Sequence, residues 1–468
     1  MAVYMCVVCD TTYDEDTENL LWDQLPKDWA CPVCESGLSH YRLVRDSSTT
    51  PSKSAKIEGV QAAVSGEAPR TADLEQYMLD IHEISETGQS VIEPMRTRLP
   101  TFSWDEILIK GAQLAKFPLN PGDPVNTKTT IGPKANYPMV LESPIYITHM
   151  SFGALSKEAK IALAKGSAAV KTAMSSGEGG ILPESLSYSY KYIFEYVPNK
   201  YSVTPENLQR VDAIEIKIGQ SAKPGMGGLL PGKKVTKEIA QIRGKEEGQD
   251  IISPARFTDI GCGDDLNKLV QRLREESGGK PVGVKFAAGD IEGDLRVALV
   301  AEPDFITIDG RAGGTGAAPK FVKSAASVPT IFALWRARKY MDDNGVKDVS
   351  LIITGGLRVS SDFAKALALG ADAAAIGTSA LMALGCKQYR ICNTGKCPMG
   401  ITTQDPLLRA QFDVDKAASR LANFLKVSTE ELKDFARLTG NDDVHKLAIL
   451  DLCTTNSEIS GHTAIEHV

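Results

Sequence analysis

The stretch Val349-Ser-Leu-Ile-Ile-Thr354-Gly355-Gly356-Leu-Arg358, and after it Ala373-Ala-Ala-Ile-Gly377-Thr378, decides the fold class. Each opens as a short apolar run suited to a strand buried on both faces, and each stops at glycine. An Ala/Leu-rich helical stretch lies between them. Working back toward the N-terminus, the same alternation gives eight runs: 144–148, 172–176, 213–218, 251–254, 281–286, 305–309, 349–354 and 373–377. Eight such runs with helical segments between them predict an α/β fold, a (β/α)8 TIM barrel over residues 141–404; an open doubly wound sheet is the alternative. The glycines favour the barrel. Gly355-Gly356 and Gly377-Thr378 follow the seventh and eighth runs, where barrels commonly hold phosphate.

Outward from the barrel, residues 1–45 form a cysteine-bearing module. Residues 46–70 are polar and Pro/Ser-rich, which marks a linker. Residues 71–140 combine a helix from Thr71 to about Thr87 with irregular Pro-rich chain and read as an N-terminal extension of the barrel domain. The tail, 405–468, is helical, with a capping-box signature at Ser428-x-x-Glu431 ahead of Leu432 and Phe435. These helices are expected to pack outside the barrel.

Of the 468 residues, 43% are hydrophobic and 24% charged, with a net charge of −7. That balance argues against nucleic acid or an anionic membrane as partner, since both call for a basic face. No apolar run approaches the ~18 residues of a membrane span. The N-terminus lacks a basic region followed by an apolar one, so a cytoplasmic location is expected. In that compartment the nine cysteines are expected as ligands or thiols rather than disulfides.

Seven of them fall into two clusters. Cys6-x-x-Cys9 and Cys31-x-x-Cys34 can set four thiolates at tetrahedral corners around iron or zinc. Cys386-x5-Cys392-x4-Cys397, followed by Pro398, can ligate an iron–sulfur cluster in the loop 384–400. Cys262 and Cys453 read as free structural thiols. Gly227-x4-Gly232-Lys233-Lys234 nearly spells a nucleotide-binding P-loop, but Lys234 stands where a magnesium-binding hydroxyl is needed.

Two resemblances sharpen these readings. Leu25-Pro-Lys-Asp-Trp29-Ala-Cys31-Pro-Val-Cys34, with Tyr13-Asp14 and Trp22, resembles a rubredoxin. That implies a mononuclear iron passing single electrons, with zinc as the other candidate. Asp10 and Glu35 stand where rubredoxins usually carry glycine. Residues 1–45 hold eight acids and three bases, a face suited to a basic electron carrier.

From about 95 to 455 the chain resembles the FMN and iron–sulfur synthase domain of glutamate synthases. The motifs are Met150-Ser-Phe-Gly-Ala-Leu-Ser156, Ser176-Gly-Glu-Gly-Gly180, Lys217-x-x-Gln220-x-x-Lys223-Pro-Gly-Met-Gly-Gly228, Val284-Lys285, Asp309-Gly-Arg-Ala-Gly-Gly314 and Thr354-Gly-Gly-Leu-Arg358, then the three cysteines. The resemblance implies FMN, a three-iron four-sulfur cluster and glutamate-synthase-type chemistry. FMN would then be held by Met150, Ser151, Ser175, Lys217, Gln220, Lys285, Gly313, Gly314, Gly355, Gly356, Gly377 and Thr378. Lys285 would neutralise the anionic reduced flavin. Lys223 and Arg243 resemble carboxylate-binding positions, with Lys223 also assigned to catalysis, and Glu178 is expected to deliver a proton.

The family pattern breaks at the substrate. Met226 and Leu229 replace Glu and Gln, and Pro254-Ala-Arg-Phe-Thr-Asp259 replaces a His-His segment. A substrate less polar than 2-oxoglutarate fits that change. The expected activity is reduction of an imine formed from a 2-oxo acid and ammonia, with electrons arriving through residues 1–45 from a carrier or reductase. With Met1-Ala2-Val3 at the start and no glutamine-hydrolysing domain, ammonia is expected from elsewhere, such as a separate glutaminase subunit. N-methylglutamate-synthase-like or other amino-acid flavin chemistry, and an electron-transfer subunit without substrate chemistry, are the alternatives.

Overall fold

The computed structural model describes residues 2–6, 11–15, 17–18, 20–26, 28–32, 36–45 and 75–468. The chain divides into two compact units, Met1–Gln89 and Ser90–Val468. In the first, Val3–Cys6 pairs antiparallel with both Thr12–Asp14 and Tyr41–Arg45. Tyr4 stacks on Trp22 at 4.2 Å, and Tyr13, Trp29 and Tyr41 close an aromatic cluster around them. Helix Met78–Thr87 also falls in this unit. The linker assigned to 46–70 lies outside the described residues.

In the second unit eight parallel strands close into a barrel. They are β1 (Ile145–Ile147), β2 (Ala173–Ser175), β3 (Lys191–Tyr196), β4 (Ala213–Lys217), β5 (Val282–Ala287), β6 (Phe305–Asp309), β7 (Ser350–Thr354) and β8 (Ala373–Ile376). Two expectations are corrected. The run 251–254 is no barrel strand: Ile251–Ile252 pairs antiparallel with Leu229–Leu230 in a separate two-stranded sheet. The missing strand is β3, Lys-Tyr-Ile-Phe-Glu-Tyr, whose charged residues disguise a buried element. The loop carrying Lys223 therefore follows the fourth strand, not the third.

Side chains alternate along each strand. Ile214, Ile216, Val282, Val284, Ile306 and Ile308 pack with the surrounding helices. Ala213, Ile193, Phe305, Tyr146 and Ala373 fill the N-terminal end inside the barrel, which the hairpin Thr129–Ile131 with Met139–Leu141 closes. Gly283 makes room there, since a Cβ at that position would lie 2.2 Å from the Phe305 ring.

The helix Val414–Leu438 packs against Lys157–Ala169 outside the barrel, at a close approach allowed by Gly166. Its N-cap is Asp413, which accepts the Lys416 N–H at 3.0 Å. Ser428 therefore lies within the helix instead of capping it, and Glu431 accepts a hydrogen bond from Ser360. Among the described residues, no helix is long and apolar enough to cross a membrane.

Phe305 is fully buried at the end of the barrel away from the loops described next. Phe305→Ala should lower stability by ~3–5 kcal/mol in a denaturant titration, while the KM of the folded fraction stays near that of the parent.

Candidate functional site

Above the apolar floor the barrel interior turns polar. Register pairs Glu195 of β3 with Glu215 of β4, Lys217 of β4 with Lys285 of β5, and Lys285 with Thr307 of β6. His149, just past β1, stands between the two glutamates. Its Nε2 lies 2.8 Å from Glu215 Oε2, and its Nδ1 lies 3.6 Å from Glu195 Oε2. All three side chains are buried, and the Thr307 hydroxyl donates to Glu215. Burial alone would raise the Glu215 carboxyl, but His149, Lys285 and Thr307 outweigh it and hold it below its ordinary value.

One layer higher, Lys217 Nζ forms a hydrogen-bonded ion pair with the Glu178 carboxylate. Burial works to raise the Glu178 carboxyl. Lys217, a hydrogen bond from Ser253 and the charge of Lys223 hold it down at about 2. Burial works to lower Lys217, and Glu195, Glu178 and Asp309 raise it above its usual value instead. At neutral pH the proton of this pair therefore resides on Lys217, and Glu178 is a carboxylate. Gly228 backs it: a Cβ there would lie 2.4 Å from Glu178 Oε1. Lys223 donates to the Gly227 carbonyl at 3.0 Å, and burial followed by the charge of Lys217 lowers it.

The loops after β1 and β2 are tied together from behind. Lys160, which sequence reasoning missed, is buried and donates to the carbonyls of Met150, Ser175 and Ser176 at 2.9, 2.9 and 2.8 Å. Burial pulls it down to about 7, against the charge of Glu195. Ser175 spends its hydroxyl on the Ile147 carbonyl at 2.8 Å, within the barrel wall. Ser151 meets the second loop through backbone, because Gly177 leaves space where a Cβ would lie 2.3 Å from Ser151 N. A lysine four residues past a serine helix cap carries no signal in sequence beyond an ordinary helix face.

On the opposite side, Gln220 reaches Thr315 at 3.4 Å and Ser221 donates to Asp309 at 2.7 Å. Gly313 and Gly355 allow close packing: a Cβ would lie 2.1 Å from Ser221 Oγ in one case and 2.1 Å from the Gly310 carbonyl in the other. Gly314 lies near Thr378, Gly356 near Ala312, and Gly377 near Thr148 and Met150. A cavity of about 760 Å³ adjoins this wall, lined by Gly355, Gly356 and five arginines, Arg96, Arg98, Arg311, Arg358 and Arg390. Arg98 and Arg390 pair with Glu93. Asp105 and Asp362 also line it, and Asp362 offsets part of the charge of Arg358, so the wall carries five arginines against two aspartates.

Arg243 lies within electrostatic range of Glu178, next to Gly179. Its guanidinium is buried behind the glycine loops, donates to the Phe152 carbonyl at 2.8 Å and lies 5.4 Å from the centre of the Tyr201 ring. This is a supporting place behind the loops.

Cys386, Cys392 and Cys397 are brought into mutual electrostatic range. Burial pushes the Cys386 thiol up to about 11, with the other two adding to it against an N–H from Gln388, 3.4 Å from its sulfur. Lys234 of the near-P-loop donates to the Cys392 carbonyl at 3.1 Å. Among the described residues, no three His, Cys, Asp or Glu converge on a single metal ion. Cys6 and Cys31 are buried in the first unit, while Cys9 and Cys34 lie outside the described residues.

The Glu178 pair sets a pH signature. Its folded pKa of about 2 lies below the ordinary 4.5, so its contribution is present above about pH 4.5 and is lost as pH falls toward 2. Urea midpoints measured against pH should show Glu178→Gln less stable by on the order of 2–3 kcal/mol at neutral pH, with the two proteins converging near pH 2.

Comparison with known proteins agrees with this layout. The model of the conserved region in glutamate synthase matches residues 104–442. A glutamate synthase large subunit-like protein of Rhizobium meliloti is 37% identical over 410 residues, covering 83% of this chain and 93% of that one. The archaeal-type glutamate synthase (NADPH) of Thermotoga neapolitana is 35% identical over 396 residues, 80% and 78% of the two chains. The archaeal glutamate synthase (NADPH) of Methanocaldococcus jannaschii is 42% identical over 323 residues, 68% of this chain and 62% of its own length. With most of the barrel unit inside the matched region, the chain belongs to the glutamate synthase family.

Proposed function

We propose that this oxidoreductase of the glutamate synthase type uses FMN and an iron–sulfur cluster to reduce an imine formed from a 2-oxo acid and ammonia, yielding an amino acid such as glutamate. The observation that carries the reading is the buried Glu178–Lys217 pair, with Lys223 beside it, at the mouth of a barrel lined by glycine loops.

The residues present fit FMN. The arginine-rich cavity beside Gly355-Gly356 suits its phosphate, with Gly313, Gly314, Gly377 and Thr378 leaving backbone accessible nearby. Lys285, buried beside Glu215, suits the charge-accumulating end of the ring, with Met150 and Ser151 at its edge. FMN, when bound, would supply a hydride to the substrate carbon. Lys217 holds the proton that the substrate nitrogen needs, and Glu178 keeps Lys217 charged and in place. That reverses the role expected for Glu178 from sequence alone. Lys223 spends one N–H on Gly227 and keeps two for a substrate carboxylate.

The three cysteines at 386, 392 and 397 would hold the three-iron cluster, with iron relieving the Cys386 and Cys392 thiolates of the cost that burial imposes on them. Cys6, Cys9, Cys31 and Cys34 would hold one iron, through which a carrier or reductase delivers electrons. The Thermotoga and Methanocaldococcus relatives both bear NADPH in their names, so a reductase oxidising NADPH is the donor class proposed. Ammonia would arrive free or from a separate glutaminase subunit.

The test is direct. Anaerobically purified protein should show flavin, cluster and ferric–thiolate absorbance, with metal analysis separating iron from zinc. The photoreduced protein is then mixed with 2-oxo acids and ammonium, and one pair should reoxidise the flavin; if no pair does, the activity proposed here is wrong. Lys217→Met should slow that reoxidation by ~10²–10⁴-fold with flavin content retained. Cys392→Ser should lose cluster iron and block reduction of the flavin by external donors, while photoreduction still proceeds.

A further inference from the structure

We infer that neutral His149 is a positioning residue that holds the Gly177 N–H, and through it Glu178, in register with Lys217. The inference rests on the reading of Glu178 and Lys217 as the reactive centre and adds to it the residue that places them.

The hydrogen bonds fix the tautomer. The Gly177 N–H donates to His149 Nδ1 at 3.2 Å, so that nitrogen carries no proton. The ring proton is then on Nε2, directed at Glu215 Oε2 2.8 Å away. Both ring nitrogens are committed in a buried site, and one of the two bonds is to the residue immediately before Glu178. Gly177 has a φ of +78° and lies against the backbone of Met150 and Ser151, so it has little room in that direction.

A proton added to Nδ1 would reverse this bond. The nitrogen would become a donor, and Glu195 Oε2, 3.6 Å away, is placed to receive it. The Gly177 N–H would lose its acceptor in a buried place, which favours movement of the Gly177–Glu178 step. The charged and titratable groups around the ring are Glu195 on β3, Glu215 and Lys217 on β4, Lys285 on β5, Tyr146 on β1 and Lys160 on the helix behind.

The two nitrogens can be separated by substitution. Asparagine places an amide oxygen near Nδ1 and cannot titrate, whereas glutamine reaches the Nε2 position and leaves Gly177 without its acceptor. Flavin reoxidation is measured across pH on the full-length holoenzyme, using the 2-oxo acid and ammonium pair identified above. The parent should slow on the acid side. His149→Gln should lower kcat by about tenfold with a small change in KM. His149→Asn should recover most of that loss, and its acid-side decline should disappear. Equal losses in both variants, or an acid limb that survives in His149→Asn, would overturn the inference. Nitrogen-15 spectra of histidine-labelled parent protein test the tautomer without any turnover: a proton on Nε2 and a bare Nδ1 are expected at neutral pH, and the opposite tautomer would overturn the inference too. Glu178→Gln and Lys217→Met are run in parallel. If they retain turnover, the reactive-centre reading fails; if they lose it while both His149 variants match the parent, only the positioning role fails.

Discussion

Charge buried inside the upper half of the barrel is the constraint on which the rest depends. Glu178, Glu195, Glu215 and Asp309 face Lys160, Lys217 and Lys285, with His149 among them. An isolated charge in such a place is too costly to keep, and removing one member of a buried pair typically costs ~3–5 kcal/mol. The charges therefore have to interlock. Register enforces this: Glu195 lies beside Glu215, and Lys217 beside Lys285. A one-residue slip of β4 would turn Glu215 and Lys217 into the apolar layer under the helices and bring Ile214 and Ile216 inside. The functional layer and the fold are thus specified by the same alternation.

The interlock extends into the loops by way of backbone groups. Lys160 gathers three carbonyls from the first two loops, and His149 takes an N–H from the second. Lys160 enters from the helix behind the loops, and His149 from just past β1 between Glu195 and Glu215. Arg243 does comparable work at the third side, holding the Phe152 carbonyl. The site's precision comes from polar side chains spent on main chain, since loops made largely of glycine and serine have little apolar surface with which to fix themselves.

This division explains what was legible in the sequence. Seven of the eight strands stand out because apolar runs, and their stops at glycine or polar residues, are local signals. β3 does not, because Lys191 and Glu195 interrupt its pattern for reasons that lie across the barrel: Lys191 pairs with Asp212, and Glu195 faces His149. Ile251–Ile252 looks like a strand and is one, but its partner is Leu229–Leu230, a pairing no local pattern could reveal. Glu178 was singled out as a site acid, yet its protonation depends on Lys217, thirty-nine residues away in the chain. His149 and Lys160 flank the Met150–Ser156 motif and carry no distinguishing spacing. Their meaning arises only when the loops close.

The same division bears on specificity. The segment after β4 meets Glu178 with Gly228, through backbone so close that no side chain would fit. Ser253, delivered by the small sheet, adds a hydrogen bond. Neither contact involves Met226 or Leu229, the positions that depart from the glutamate synthase pattern, and both of those side chains are exposed. The Glu178–Lys217 pair is therefore held by groups other than the side chains at those two positions. Glycine at 228 is what lets the loop approach the carboxylate at all, because any side chain there would meet Glu178.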